Sequence, residues 1–220
     1  MTDELIEIET FYNNLLLMGE TEFIYKGFII NKTEHGLWQL KMFLNDDYPK
    51  NKSLLDVFNS IPTFVQVIGP HSFRGDLWEN SNGTSDSHFS YITIPEGIIE
   101  IGMCAFMGCH ITGIKLPSTL KHIDKSAFAC CDIQDIYLPD NLEKINAYAF
   151  FNNKRLKSIS LPSNIDILNG AFKDCGTKYY SKDVRLEVRA YKDNKPYIHQ
   201  IGDSFQNSSF KQLAKRYEKL

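Results

Sequence analysis

Cysteine and histidine side chains cluster in the middle of this 220-residue sequence, where they could ligate a metal ion. Thiolate and imidazole groups are ligands that Zn²⁺ prefers, and structural zinc sites present them in closely spaced pairs. The candidates are Cys104, Cys109, Cys130, Cys131, His110 and His122. They do not form two C-x2-C pairs, which is the spacing that would make a zinc site specific. The sequence therefore predicts no metal site.

Covalent catalysis by a cysteine would need a histidine and an orienting group beside it. The chain has six histidines, and no local pattern marks one of them for that role. The P-loop, the G-x-S-x-G nucleophile motif and the dinucleotide-binding G-x-G-x-x-G motif do not occur in the sequence. We therefore expect no enzyme and no cofactor; a small enzyme carried by residues 1–58 is the alternative.

Charge and hydrophobicity limit the classes of partner that this protein is expected to bind. The net charge is −3, which argues against a nucleic-acid partner because such proteins need a basic surface. No apolar run reaches the roughly 18 residues of a membrane span, so no membrane partner is expected. The chain starts MTDELIEIET, which is acidic where a secretion signal is basic. We therefore expect a cytoplasmic protein whose cysteines are reduced.

The elements that must position any functional residues come from an internal repeat. Prolines recur at spacings of 22, 22 and 23 residues, and an Ala-Phe pair recurs every 22 residues. The prolines are Pro95, Pro117, Pro139 and Pro162, and the pairs begin at Ala105, Ala127, Ala149 and Ala171. Residues 61–73 (IPTFVQVIGPHSF) read as a degenerate first copy, separated from the next by an insertion.

Within one unit, the alternation of Ile114 and Leu116 with polar residues predicts a short strand that buries one face. Pro117 lacks an N–H group and should end this strand. The following apolar residues, up to Phe128, predict a short turn or helix that folds back over the core. Cys131 follows, in a position that holds Cys109, Asn153 and Cys175 in the other units. We expect this position to point inward and to donate to backbone carbonyls of the turn.

The phrase I-x-L-P-x-x-L-x-x-I-x-x-x-A-F-x-x-C resembles the BspA-type leucine-rich repeat over residues 61–176. The resemblance implies a right-handed solenoid with a parallel sheet on one face, used for contact with another protein or for adhesion. It implies no catalytic residues. The predicted fold is thus an α/β leucine-rich-repeat solenoid, capped by an N-terminal α+β segment and a C-terminal strand and helix.

The flanks predict the caps that a solenoid needs. Residues 1–58 read as an α+β cap or a small separate domain, with a helix over 3–18, strands over 22–30 and 37–43, and a short helix over 54–61. The solenoid spans 59–176, with the degenerate repeat at 59–75, the insertion at 76–90 and the regular repeats at 91–176. Residues 177–220 read as a C-terminal cap, with a strand over 184–191 and a helix that Ser208 or Ser209 begins. Its basic side is either a solvated face or a contact for an acidic partner.

Outward positions of the predicted strands form a stripe that could bind another protein or could simply be a solvated sheet face. Aromatic side chains among a few charges often dominate protein interfaces. The candidate partner-binding residues on these strands are Tyr91, Thr93, Lys115, Asp135, Tyr137 and Ser160. Trp78 and His88, in the polar insertion, either pack on the edge of the solenoid or contact the partner.

The sequence therefore favours a non-enzymatic protein-binding module, acting as an intracellular inhibitor or scaffold of a microbial or phage system. A structural or adhesive component of a cell surface or a virion is the alternative. The sequence does not name the partner or the oligomeric state.

Overall fold

The computed structural model describes residues 22–25, 28–43, 60–75, 91–178, 183–190, 195–198 and 203–218. The predicted helix over 3–18, most of that over 54–61, and the insertion over 76–90 lie outside these residues. Within them, the chain forms thirteen strands, one short α-helix and one 3₁₀ helix. The strands are β1 (Glu22–Tyr25), β2 (Phe28–Lys32), β3 (Trp38–Phe43), β4 (Val67–Ile68), β5 (Tyr91–Thr93), β6 (Glu100–Ile101), β7 (Gly113–Lys115), β8 (His122–Ile123), β9 (Asp135–Tyr137), β10 (Lys144–Ile145), β11 (Ser158–Pro162), β12 (Asp166–Ile167) and β13 (Arg185–Arg189). The helices are α1 (Lys211–Ala214) and the 3₁₀ helix Lys215–Tyr217.

The repeats stack into a solenoid with two sheets rather than one. A five-stranded parallel sheet has the order β13-β11-β9-β7-β5, and an eight-stranded sheet has the order β1-β2-β3-β4-β6-β8-β10-β12. Each regular repeat contributes a strand of three or more residues to the first sheet and a strand of two residues to the second. The parallel sheet on one face is the predicted one, and the second sheet adds to it.

The second sheet replaces the turn or helix expected over the middle of each unit. In the repeat of β8, Ile123 is fully buried, and the next amide, that of Asp124, donates to the carbonyl of Ile101 in the preceding repeat. Because neighbouring repeats supply these backbone partners, a two-residue strand suffices where a helix would need several turns of its own. Among the described residues, α-helix occurs only in α1.

The N-terminal strands continue the eight-stranded sheet. β3 pairs in parallel with β4, Leu40 opposite Ile68, and β2 pairs with β3 antiparallel. The expected single strand over 22–30 is wrong, because β1 and β2 pair with each other antiparallel. The chain therefore runs in opposite directions in β1 and β2. These strands cover the first repeat, as an end cap of a solenoid does.

A column of stacked phenylalanine rings runs through the core. The six rings are nearly parallel, with centroids of successive rings 5.0–5.4 Å apart and interplanar angles of 3–11°. They belong to Phe73, Phe106, Phe128, Phe150, Phe172 and Phe205. The spacing matches that of neighbouring strands, so each repeat places one ring on the last. Burial of each ring contributes about 1.5–3 kcal/mol.

The column extends past residue 176, where the sequence predicted the C-terminal cap to begin. β13 pairs in parallel with β11, and the Phe205 ring stacks on that of Phe172. Ser204 takes the place of the alanine in the Ala-Phe pair, and its hydroxyl donates to the carbonyl of Ile167 at 2.9 Å. A degenerate repeat thus closes this end, as one opens the other at Phe73.

The helix after this closing repeat is shorter than predicted. Within residues 203–218, helix is limited to α1 and the 3₁₀ helix, and the chain is extended at Glu218. The N-cap residue is Phe210 and no side chain caps the helix, so the predicted cap at Ser208 or Ser209 is wrong. The Ser208 hydroxyl instead accepts the backbone N–H of Phe210 at 3.1 Å, one turn before the helix. Phe210 and Ala214 are buried, while Leu213 packs against the core from its edge.

The inward position three residues after each phenylalanine confirms its expected role. The thiol of Cys109 donates to the carbonyl of Phe73 at 2.8 Å, and that of Cys131 to Phe106 at 3.2 Å. Cys175 repeats the contact with Phe150 at 2.9 Å. A small buried donor in each unit therefore satisfies a carbonyl of the unit before it.

Two positions per repeat adopt a left-handed backbone conformation. One precedes the Ala-Phe pair, as at Ser126 (φ 56°), and the other precedes the inward donor, as at Cys130 (φ 57°). At the first position the fourth regular repeat has Gly170, with φ 70°. A Cβ atom there would lie 2.5 Å from the ring of Tyr148, so glycine leaves the space that this ring occupies.

Candidate functional site

The outer side of the five-stranded sheet, here called the sheet face, carries most of the predicted binding residues. Buried isoleucines such as Ile92 and Ile136 point into the core, so the residues on either side of them point outward. The strand register aligns them in two rows. The first row is Tyr91, Gly113, Asp135, Ser158 and Arg185, and the second is Thr93, Lys115, Tyr137, Ser160 and Glu187.

The structure brings the six predicted strand residues together but does not expose them equally. Tyr91 and Tyr137 are 61% and 58% exposed, which is unusual for large aromatic side chains. Lys115 and Asp135 are also exposed, and Thr93 is half-buried. Ser160 is buried, at 8% exposure, and is not available as expected. Trp78 and His88 lie outside the described residues.

Ser160 is covered by Arg189, a residue that the sequence did not single out. The guanidinium group lies 4.0 Å from the centre of the Tyr137 ring. It also lies 2.7 Å from a carboxylate oxygen of Asp140 and 2.6 Å from the Ser160 hydroxyl, and it donates to the carbonyl of Leu138. Its side chain is only 16% exposed. One charged group therefore joins β13 to the side chains of two other strands.

Two open depressions of about 500 Å³ each lie on the sheet face. Tyr91 and Tyr137 border both of them. The first has an apolar floor that includes Ile114 and Leu116, whereas Gly113 and Asp135 line the second. The two rings thus form the sides of depressions that can accept side chains of a partner.

An acidic and a basic group lie near each other at the edge of this surface. The Glu96 carboxylate accepts the backbone N–H and the hydroxyl of Ser118, at 3.0 and 2.9 Å. Hydrogen bonding from the Ser118 backbone, with help from the nearby Lys115 charge, lowers the pKa of Glu96 below its ordinary value. Glu96 is therefore ionised at neutral pH beside Lys115, and the edge presents both signs of charge.

Burial holds three of the cysteine thiols in their neutral form. Burial raises the pKa of Cys131 well above that of a free thiol, and it raises the pKa of Cys175 and Cys104 as well. A buried neutral thiol is a poor nucleophile. Within the ranges that the structure describes, no three histidine, cysteine or acidic side chains lie close enough to hold a metal ion. No helix in those ranges is long and apolar enough to cross a membrane.

Comparison with known proteins identifies the repeat. The family model of the BspA-type leucine-rich repeat region, with six copies, matches residues 80–187. The repeat region belongs to the BspA-type leucine-rich repeat family. The family match extends past residue 176 into β13, in agreement with the stacking of Phe205 beyond it.

Solved leucine-rich-repeat structures share the fold. A leucine-rich cell surface protein of Faecalibacterium prausnitzii is 22% identical with a TM-score of 0.55, over 79% of this chain and 41% of that one. The pneumococcal vaccine antigen PcpA is 18% identical with a TM-score of 0.56, over 85% of this chain and 47% of that one. The chain thus spans less than half the length of these two.

A third solved structure matches nearly end to end. The leucine-rich repeat protein of T. pallidum is 18% identical with a TM-score of 0.51, over 90% of this chain and 96% of that one. At this level of identity the likeness establishes the fold alone. No curated protein matches the sequence.

Proposed function

We propose that this BspA-type solenoid is a non-enzymatic module that binds another protein through its sheet face. The observation that supports the proposal is the pair of exposed tyrosines, Tyr91 and Tyr137, that border two adjacent depressions. Tyrosine offers a large apolar ring at low cost in conformational entropy and is enriched at interfaces. Lys115 and Asp135, between and beside the rings, add charges that orient a partner.

The architecture supports a binding role on energetic grounds. Inward residues such as Ile114 and Ile136 stabilise the stack, whereas their outward neighbours contribute little to it. The outward rows are therefore free to be selected for contact with a partner. Five strands at about 4.8 Å spacing give a face about 19 Å across. That is wide enough to carry the central contacts of an ordinary protein interface.

We propose further that the module acts inside the cell, as an inhibitor or scaffold, and carries out no catalysis. The chemical groups of the described residues support the absence of catalysis. The cysteines that stack in the repeats, such as Cys131, are buried donors rather than nucleophiles. The exposed charges on the sheet face are spread among repeats. Catalytic groups are usually gathered in a cleft instead.

The test is capture of partners from a lysate of the source organism, with identification by mass spectrometry. The binding variant is Tyr91→Asn with Lys115→Glu, which removes one ring and reverses one charge on the sheet face. The matched control is Tyr148→Asn with Lys125→Glu, which makes the same chemical changes at exposed residues away from the sheet face. Circular dichroism establishes that both variants fold.

We expect a protein that wild type and control retain and the binding variant loses. Isothermal titration with the purified partner should then show a loss of roughly 2 kcal/mol or more, as for interface hot spots. Equal retention by all three proteins would refute the sheet face as the binding site. Capture of no protein from the lysate would count against the proposal as a whole.

Display on a cell surface is a second candidate, which one observation favours. The Faecalibacterium prausnitzii structure with the same fold is described as a leucine-rich cell surface protein. Fractionation of source cells, followed by immunoblotting and by protease treatment of intact cells, separates the candidates. Protease digestion of the protein on intact cells would support display, and protection until lysis would support action inside the cell.

A further inference from the structure

We infer that Arg189 is a positioning residue of the sheet face, which fixes the Tyr137 ring in the orientation that a partner meets. This inference rests on the proposed function, since it concerns the same face. Arg189 lies on β13, outside the repeats in which the binding residues lie. Its guanidinium group nevertheless contacts side chains or backbone that belong to β9 and β11 and to the turn after β9.

Nearly all N–H groups of the guanidinium group have a hydrogen-bond acceptor. Nε and one terminal nitrogen lie 3.0 and 2.7 Å from the same oxygen of Asp140. The other terminal nitrogen lies 2.6 Å from the Ser160 hydroxyl, and the carbonyl of Leu138 accepts a further bond. Because a guanidinium group is planar, these contacts fix both its position and its tilt.

The fixed plane of Arg189 lies over the Tyr137 ring, at 4.0 Å from its centre. An exposed tyrosine on a sheet normally samples several rotamers, and binding would have to select one of them. Stacking under a guanidinium group that other contacts hold removes this freedom before a partner arrives. The ring edge and the side towards Lys115 are left for the partner, beside the depressions that Tyr137 borders.

The charge of Arg189 is matched where it lies. Asp140 pairs with it, and Glu187 lies within hydrogen-bonding distance of the same Ser160 hydroxyl, at 3.2 Å. A contact with the partner therefore does not need to neutralise Arg189, which leaves its role to orientation. This distinguishes Arg189 from Lys115, which is exposed and has its charge available to a partner.

The first test needs no partner. Protein labelled with 3-fluorotyrosine gives a ¹⁹F resonance for Tyr137, assigned by its disappearance in Tyr137→Phe. We expect this resonance to be displaced from that of free 3-fluorotyrosine in wild type, and to move most of the way back in Arg189→Gln. Arg185→Gln is the matched control, because it removes an exposed arginine from the same strand. It should leave the Tyr137 resonance in place, and Arg189→Lys should restore only part of the displacement.

The second test uses the partner protein obtained by capture. We expect Arg189→Gln to weaken its affinity about fivefold to tenfold, because binding must then immobilise a Tyr137 side chain that Arg189 no longer holds, with no change for Arg185→Gln. A Tyr137 resonance that is the same in wild type and Arg189→Gln would overturn the inference, whatever the protein binds. A released ring with unchanged affinity would also overturn it, yet leave the proposed function standing. Failure to find a partner would affect only the proposed function, because the resonance reports on the ring without one.

Discussion

The side-chain amide nitrogen of Asn153 lies 2.8 Å from the carbonyl oxygen of Phe128 and makes the bond that a cysteine thiol makes in the neighbouring repeats. The same nitrogen lies 2.8 Å from the carbonyl of Phe150, and the side-chain oxygen accepts the backbone N–H of Ile133 at 3.2 Å. Asparagine therefore satisfies three buried backbone groups where a thiol has a single proton to donate.

Removal of this amide should be costly. Asn153→Ala removes the side-chain partner of the Phe128 carbonyl and of the Ile133 N–H at a fully buried position, whereas the Phe150 carbonyl keeps the Cys175 thiol. We expect the free energy of unfolding to fall by about 1–3 kcal/mol. Urea unfolding followed by circular dichroism measures it. Asn141→Ala is the control, because its exposed amide makes one bond, to the carbonyl of Ser118. A fall no larger than in the control would show that the amide is not needed.

The phenylalanine column should respond most strongly to a gap in its middle. Phe128→Ala removes a fully buried ring that stacks on Phe106 and Phe150 at 5.1 and 5.4 Å. We expect a loss of about 3–5 kcal/mol in the free energy of unfolding. Phe151→Ala, at a half-buried ring with an edge contact to Tyr148, should cost clearly less. Equal losses in a urea titration would contradict a stabilising role specific to the column.

Thiol reactivity should follow burial. Cys130 is exposed, whereas burial holds the pKa of Cys131 and Cys175 well above that of a free thiol. In the folded protein at mildly alkaline pH, iodoacetamide should modify Cys130 first and leave the other two unmodified until denaturant is added. Peptide mass spectrometry over a time course measures each site. Modification of Cys175 at the rate of Cys130 without denaturant would show that the repeat opens locally.

Glu96 should make stability depend on acid pH. Its folded-state pKa is lowered from 4.5, first by the backbone N–H of Ser118, so the carboxylate stabilises the fold above that value. This contribution is lost as the pH falls through the folded-state pKa. Wild type should therefore be more stable than Glu96→Gln at neutral pH, and the difference should shrink below about pH 4.5. Glu143→Gln, at an exposed carboxylate 3.2 Å from Lys121, is the control in thermal melts at each pH. A difference between wild type and Glu96→Gln that does not change with pH would rule out this role.

The sequence predicted the contacts that an equivalent side chain makes in each successive repeat. Phe128 and Cys131 recur in phase, so their stacking and their inward bonds could be predicted before any coordinates. The second sheet could not, because a two-residue strand such as β8 is too short to show an alternating pattern. The degenerate closing repeat had a signal, since Ser204-Phe205-x-x-Ser208 matches Ala-Phe-x-x-Cys with two conservative changes.

The exposed residues of the candidate site could be predicted from the sequence. The contacts that hold them in place could not. Tyr91 and Tyr137 follow from strand alternation alone, since each lies next to a buried isoleucine. Arg189 contacts Asp140 from 49 residues away in the sequence, on a strand outside the regular repeats. A contact of this kind depends on how the closing repeat docks, and no periodicity marks it. For the same reason Ser160 was expected to be exposed and is buried.

The hydrogen bonds between the parallel strands run from one repeat to the next, along the axis of the solenoid. A force that pulls the two ends apart would act along these bonds, in an unzipping geometry. It would break the few bonds of one repeat at a time, rather than load all of them together in shear. Each 22-residue unit that detaches would release about 70 Å of extended chain. The protein would then extend in steps, one repeat at a time, and the repeats at the ends would detach before those in the middle.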